Sequence, residues 1–231
     1  MNRKATILSL LAALSLLTFS VCFTQDKAPA VISALPGNVP SDAVVLFDGT
    51  GLDAWQHPDG SPASWKLAGG AMTVTEGGLV TKAEFGDVQI HLEFCMPAPA
   101  AGEGQDRGNS GIYIHGNYEV QILDSYENET YYDGQCAAVY KISPPLVNAS
   151  RPPGIWQTYD IIFHAAGLDN SGKVTEKATV TVIHNGVLVQ DNLEVSPTGG
   201  AMGNQELEKG PIMLQDHHHP VRFRNIWIRE L

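Results

Sequence analysis

Between residues 87 and 96 every second side chain is apolar. Val88, Ile90, Leu92, Phe94 and Met96 share one parity; Gln89, His91, Glu93 and Cys95 share the other. Side chains alternate across a strand with a period of two, so this segment can bury its apolar half only as a β-strand. Val44–Phe47 reads as a short apolar strand closed by Asp48-Gly49-Thr50-Gly51, a turn composition. Residues 65–67, 71–74 and 78–81 are further short strands, punctuated by Gly69-Gly70 and Gly77-Gly78. A Pro/Ala/Gly loop over 97–105 precedes two strands, 109–114 and 118–125. Trp156–His164 and Ala178–His184 follow, and Asn185-Gly186 has the composition of a type I′ turn leading into 187–190. Residues 211–215 and 220–228 are the last two strands. Many short strands spaced by turn residues, with no long helical period and no internal repeat, predict an all-β sandwich of two antiparallel sheets.

The polar halves of these strands carry the functional signal. On 118–125, Glu119 and Gln121 face one way, and Tyr118, Val120 and Ile122 the other. A carboxylate beside an amide on a sheet face suits water or a polar ligand, and sugars are such ligands. Tyr113, Tyr118 and Tyr126 lie close in sequence and can stack on sugar rings or hydrogen-bond their hydroxyls. Met213 and Gln215 share a face, as do Arg222 and Arg224. Gathered in one sheet, these faces would form a concave hydrogen-bonding floor. For Gln89, His91 and Glu93 an ordinary wet outer face is an equal alternative. The tryptophans at 55, 65, 156 and 227 sit among apolar strand residues and are expected in the core.

Residues 1–22 read as an export signal. Arg3 and Lys4 precede a nearly unbroken apolar run, and polar residues follow it. The run is short for a membrane span, which needs roughly 20 apolar residues. Contact with a membrane is therefore expected only if this segment stays uncleaved or Cys22 is lipidated. Residues 23–42 read as a linker and 43–231 as a single domain. Loss of Arg3 and Lys4 with the leader takes the formal net charge from −11 to about −13. That charge argues against nucleic acid or an anionic membrane as partner, and fits a periplasmic or extracellular protein with a neutral ligand. Cys95 and Cys136 are either a disulfide or two buried thiols, and the sequence leaves both open. No Cys or His spacing resembles a zinc site. Of the successive histidines 217–219, at most two could bind one divalent metal without a bend, because neighbouring strand residues face opposite ways. No metal or other cofactor is expected.

Three stretches together resemble the 3-keto-disaccharide hydrolase family. They are Leu46-Phe47-Asp48-Gly49 with Leu52 and Trp55; Gly108-Asn109-Ser110-Gly111-Ile112-Tyr113 running on to the strand from Tyr118 to Ser125; and Gly210 to His217 followed by Val221 to Ile228. After His217 the family usually continues with Gly, where this chain has His218. The resemblance implies a concanavalin A-like jelly roll. It also implies an enzyme acting on 3-keto glycosides or disaccharides, for which a sugar 3-dehydrogenase working upstream would be one source. A ketone at C3 acidifies the C2 hydrogen; a base removes it, the enolate expels the C1 substituent, and water adds back. Glu119 or His217 is then base or acid, and Asp124 or Asp216 orients His217. Arg107, Gln215 and Arg222 hold the C3 oxygen and nearby hydroxyls, with Asn109, Tyr113 and Gln121 as further substrate contacts. The spacing Glu119, Gln121, Asp124 also compares with retaining jelly-roll glucanases, whose third position is acidic; the amide at Gln121 weakens ordinary double displacement. A non-catalytic carbohydrate-binding module on the same fold is the other function class.

Overall fold

The computed structural model describes residues 30–33, 38–199 and 203–231. The leader read over 1–22 and much of the linker read over 23–42 lie outside the described residues. Among those residues the strands are β1 (Val44–Phe47), β2 (Trp55–Gln56), β3 (Lys66–Ala68), β4 (Ala71–Thr73), β5 (Leu79–Thr81), β6 (Val88–Cys95), β7 (Asn109–Ile114), β8 (Tyr118–Leu123), β9 (Trp156–His164), β10 (Gly167–Leu168), β11 (Val174–Glu176), β12 (Ala178–His184), β13 (Val187–Val195), β14 (Met213–Leu214) and β15 (Arg222–Glu230).

All but β10 and β11, which pair only with each other as a two-stranded ribbon, form a jelly-roll sandwich of two antiparallel sheets. The larger has the order β13-β12-β9-β6-β15-β4-β3, with β1 also paired to β15. The smaller has the order β2-β5-β14-β7-β8. The chain changes sheet repeatedly: β5, β7, β8 and β14 lie in the small sheet, while β4, β6, β9 and β15 lie in the large one. Strands that are neighbours in sequence therefore often present their polar faces on opposite sides of the molecule.

The parity of β6 decides its packing. Val88, Ile90, Leu92 and Phe94 are fully buried, whereas Gln89, His91 and Glu93 lie on the outer face of the large sheet, half-buried. Tyr118, Val120 and Ile122 supply the facing layer from β8. Tyr159 on β9 spans the core and donates its hydroxyl proton to the Gln121 carbonyl at 2.7 Å. Such a bond removes a buried orphan and ties the two sheets together. Two of the four tryptophans are core residues, and each donates its indole N–H to a carbonyl, Trp55 to Leu46 and Trp65 to Gly77. The other two are on the outer face of the large sheet: Trp227 stacks on His91 at 5.2 Å and Trp156 lies under Arg224 at 4.1 Å.

One expectation changes here, and one open alternative closes. The polar faces do not gather in one sheet. A bulge in β15 between Arg224 and Trp227, with Asn225 at φ 47°, turns Arg224, Asn225 and Trp227 all outward. Arg224 and Asn225 then bind Glu93, and His91 binds Asp160 at 2.7 Å, giving a paired network on the back of the large sheet. Of the two alternatives left open for the cysteines, the structure has the pair of buried free thiols. Cys136 lies between the sheets, 3.0 Å from the Tyr159 hydroxyl, while the parity of β6 places Cys95 on the outer face, 3.1 Å from Arg222.

Candidate active site

The outer face of the small sheet holds a cavity of about 200 Å³ lined by Gln105, Asn109, Tyr113, Glu119, Gln121, Tyr140, Gly199, Gln215 and His217. Register assembles it. Tyr113 on β7 lies opposite Glu119 on β8, and Gly111 opposite Gln121. β14 pairs with the other edge of β7, so the chain leaving it brings Gln215 alongside, where its backbone N–H bonds the Gly111 carbonyl at 2.9 Å. Ser110 fastens that junction by donating to the Gln215 carbonyl at 2.7 Å. Gln105, from a single 3-10 turn over Gly104–Asp106, receives the Gln121 amide at 3.2 Å and the Asn109 amide on its carbonyl at 2.8 Å.

Glu119 is the centre of this group. Its side chain is almost wholly out of solvent, at 4 % exposure. Burial pushes its carboxyl up to about 7, opposed only in part by the hydrogen bond from Tyr113. Tyr113 accepts in turn from the Gln215 side-chain amide at 2.9 Å. Burial, then the charge of Glu119, holds the Tyr113 hydroxyl well above the usual tyrosine range, so it stays a donor. A carboxyl poised near neutrality can take or give a proton with little bias. Asn109 Oδ1 and Gln215 Oε1 are buried and have no hydrogen-bond partner among the described residues. Both are acceptors, the complement of sugar hydroxyls.

Glycine is required at position 111. A Cβ there would lie 2.7 Å from Glu119 Oε1 and 3.2 Å from the Tyr113 ring. The carboxylate end would have to swing away. We expect Gly111→Ala to cut turnover by about 10- to 100-fold, the scale of a 1 Å misplacement, with the melting temperature shifted by only a few degrees; melting followed by circular dichroism beside an activity assay checks this.

The structure brings together Asn109, Tyr113, Glu119, Gln121, Gln215 and His217. His217 is exposed at the mouth, its ring parallel to that of His219 at 6.0 Å. Neither aspartate expected to orient it does so. Asp216 accepts from the backbone N–H groups of Gly77 and His218, a turn role. Asp124 is buried and bonded to Arg107 at 2.8 Å. That pair braces the ends of β7 and β8 and lines no part of the cavity. Arg222 belongs to β15 in the large sheet and packs on Cys95 and Trp156, so it is separated from Glu119 by the whole core. Three lining residues escape sequence reading: Gln105, Tyr140 and Gly199. None lies on a regular strand, so no parity marks them. Among the described residues no three His, Cys, Asp or Glu side chains are grouped to hold a metal ion.

Residues 42–229 match the profile of the 3-keto-alpha-glucoside-1,2-lyase-like domain. Among solved structures, a predicted glycosyl hydrolase from Parabacteroides distasonis ATCC 8503 is 44% identical over 89% of this chain and 93% of its own, with a TM-score of 0.83. A second predicted glycosyl hydrolase from that organism shares the fold at 16% identity, over 82% of this chain and 94% of its own, with a TM-score of 0.63. No curated protein is significantly similar to the chain.

Proposed function

Because the chain belongs to the 3-keto-alpha-glucoside-1,2-lyase-like family, we propose that it is an exported enzyme that cleaves 3-keto glycosides by elimination and hydration. The observation that carries this reading is Glu119: a buried carboxyl held at about 7 inside a cavity of amides and hydroxyls. A sugar-binding module gains nothing from a carboxylate so costly to keep charged, whereas a proton-transfer site does.

In this reading Glu119 takes the proton from C2, which the neighbouring ketone has acidified. Negative charge then develops on the C3 oxygen. The N–H groups of Gln121 and His217 on the cavity wall are the donors toward it. The C1 substituent leaves, and water adds across the C1–C2 double bond. Asn109 Oδ1 and Gln215 Oε1 accept from sugar hydroxyls and fix the ring. The substrate ketone comes from a sugar 3-dehydrogenase acting earlier.

Incubation with matched native and 3-keto glucosides tests the proposal. Release of the C1 substituent is expected from the keto form alone. Equal release from the native form would mean ordinary hydrolysis. Binding with both sugars returned intact would make the protein a carbohydrate-binding module.

A further inference from the structure

Tyr140 reaches the cavity from outside any strand. Residues 137–140 run along the free edge of β8: the Ala137 N–H bonds the Gln121 carbonyl at 2.9 Å, and the Tyr140 N–H bonds the Glu119 carbonyl at 3.1 Å. The backbone of Glu119 thus sets the position of Tyr140, and both side chains line the same space.

The tyrosine hydroxyls around Glu119 are not equivalent. Tyr113 is fully engaged, donating to Glu119 and accepting from Gln215. Among the described residues the Tyr140 hydroxyl has one hydrogen-bond partner, the hydroxyl of Tyr131 at 2.8 Å. Tyr131 is exposed on one side and packed on the other. Its ring lies where a Cβ on Gly134 would come within 1.9 Å, and the Lys141 ammonium sits 3.3 Å from its centroid. Partial desolvation, then the bond to Tyr140, keeps the Tyr131 hydroxyl above the usual tyrosine range, so it remains protonated. When Tyr131 donates, the Tyr140 oxygen accepts and its own proton is free for the cavity.

We propose that Tyr140 is the acid that protonates the departing glycosidic oxygen, and that Tyr131 is its positioning residue. The assignment rests on the elimination reading above and supplies the group that reading lacks. Glu119 removes the C2 proton, and the C2–H electron pair delocalises onto the C3 oxygen. That pair then forms the C1–C2 double bond as the C1–O bond breaks. The electrons of the broken bond leave on the glycosidic oxygen, which takes the Tyr140 proton. The tyrosinate recovers its proton from Glu119, so both groups return to their starting states without an outside donor.

The test uses methyl 3-keto-glucoside in D2O, with C2 hydrogen exchange and methanol release both followed by NMR. In Tyr140→Phe, C2 exchange should persist while release falls about 100-fold, the usual worth of a positioned acid. Tyr131→Phe should show the same split at about 10-fold. With 4-nitrophenol as leaving group, which needs little protonation, the split in Tyr140→Phe should shrink to a few-fold. Glu119→Gln should lose exchange and release together. Equal loss of exchange and release in Tyr140→Phe, or no loss of either, overturns the assignment and leaves the elimination reading standing. Neither exchange nor release by the native protein overturns both.

Discussion

Glu119→Gln removes turnover of a 3-keto glucoside by about 10³-fold or more, within the usual span for loss of a general base and its electrostatics, and makes the protein more stable at pH 8. The second effect follows from burial of the carboxyl. The carboxyl titrates at about 7 in the fold against an ordinary value of 4.5. The folded protein therefore holds a proton that the unfolded chain has already released. Stability is undiminished below pH 4.5 and declines as pH rises from there to about 7. Beyond that it stays lower by up to about 3 kcal/mol, the worth of the shift. Glutamine is nearly the same shape and carries no charge to bury. Urea denaturation should show a gain of about 1–3 kcal/mol at pH 8 and almost none at pH 4.5. In the native enzyme, kcat/KM for the keto substrate should rise with pH and level off above about 7, because only the ionised carboxylate can take the C2 proton. A variant that is inactive with no gain at pH 8 would mean that Glu119 is not held in its costly state.

Asp124→Ala destabilises the fold without touching the chemistry. Asp124 is 2 % exposed and Arg107 is 16 % exposed, with 2.8 Å between them. Removing the aspartate strands the guanidinium at the ends of β7 and β8, where the Asp124 N–H also bonds the Gly108 carbonyl at 2.8 Å. The loss should be about 3 kcal/mol, at the low end for a broken buried pair because Arg107 keeps some water. The double variant Arg107→Ala/Asp124→Ala should be less destabilised than the two single changes added together, as contacting partners require. Turnover per folded molecule at low temperature should stay within a few-fold of native. A catalytic Asp124 would instead remove turnover and leave the urea midpoint almost unmoved.

The strands show how far a one-dimensional reading reaches. The alternation in β6 and β8 states which side chains share a face, and the structure keeps those pairings residue by residue. Strand bounds shift by a residue or two at turns, and β13 runs on to Val195, five residues past Gln190, because pairing with β12 continues beyond the point where the apolar pattern fades. Glu119 and Gln121 could be placed together from their parity alone, and the match of residues 108–113 to the same family brought in Asn109 and Tyr113. Arg222 shows the limit. It belongs to the same matched ending as Gln215, only seven positions away, yet the intervening turn carries the chain from the small sheet to the large one.

The order of residues alone settled that this chain is β-structured, which side of each strand is apolar, and that a carboxylate and an amide look outward together from β8. These are local properties, set by the two-residue repeat of an extended backbone. Which outward faces meet was decided only by tertiary pairing, since a strand's partner is chosen by contacts between residues far apart in the chain. That pairing set Glu119 among Tyr113, Gln215 and Tyr140, buried its carboxyl enough to bring it near neutrality, and sent Arg222 to the back of the molecule.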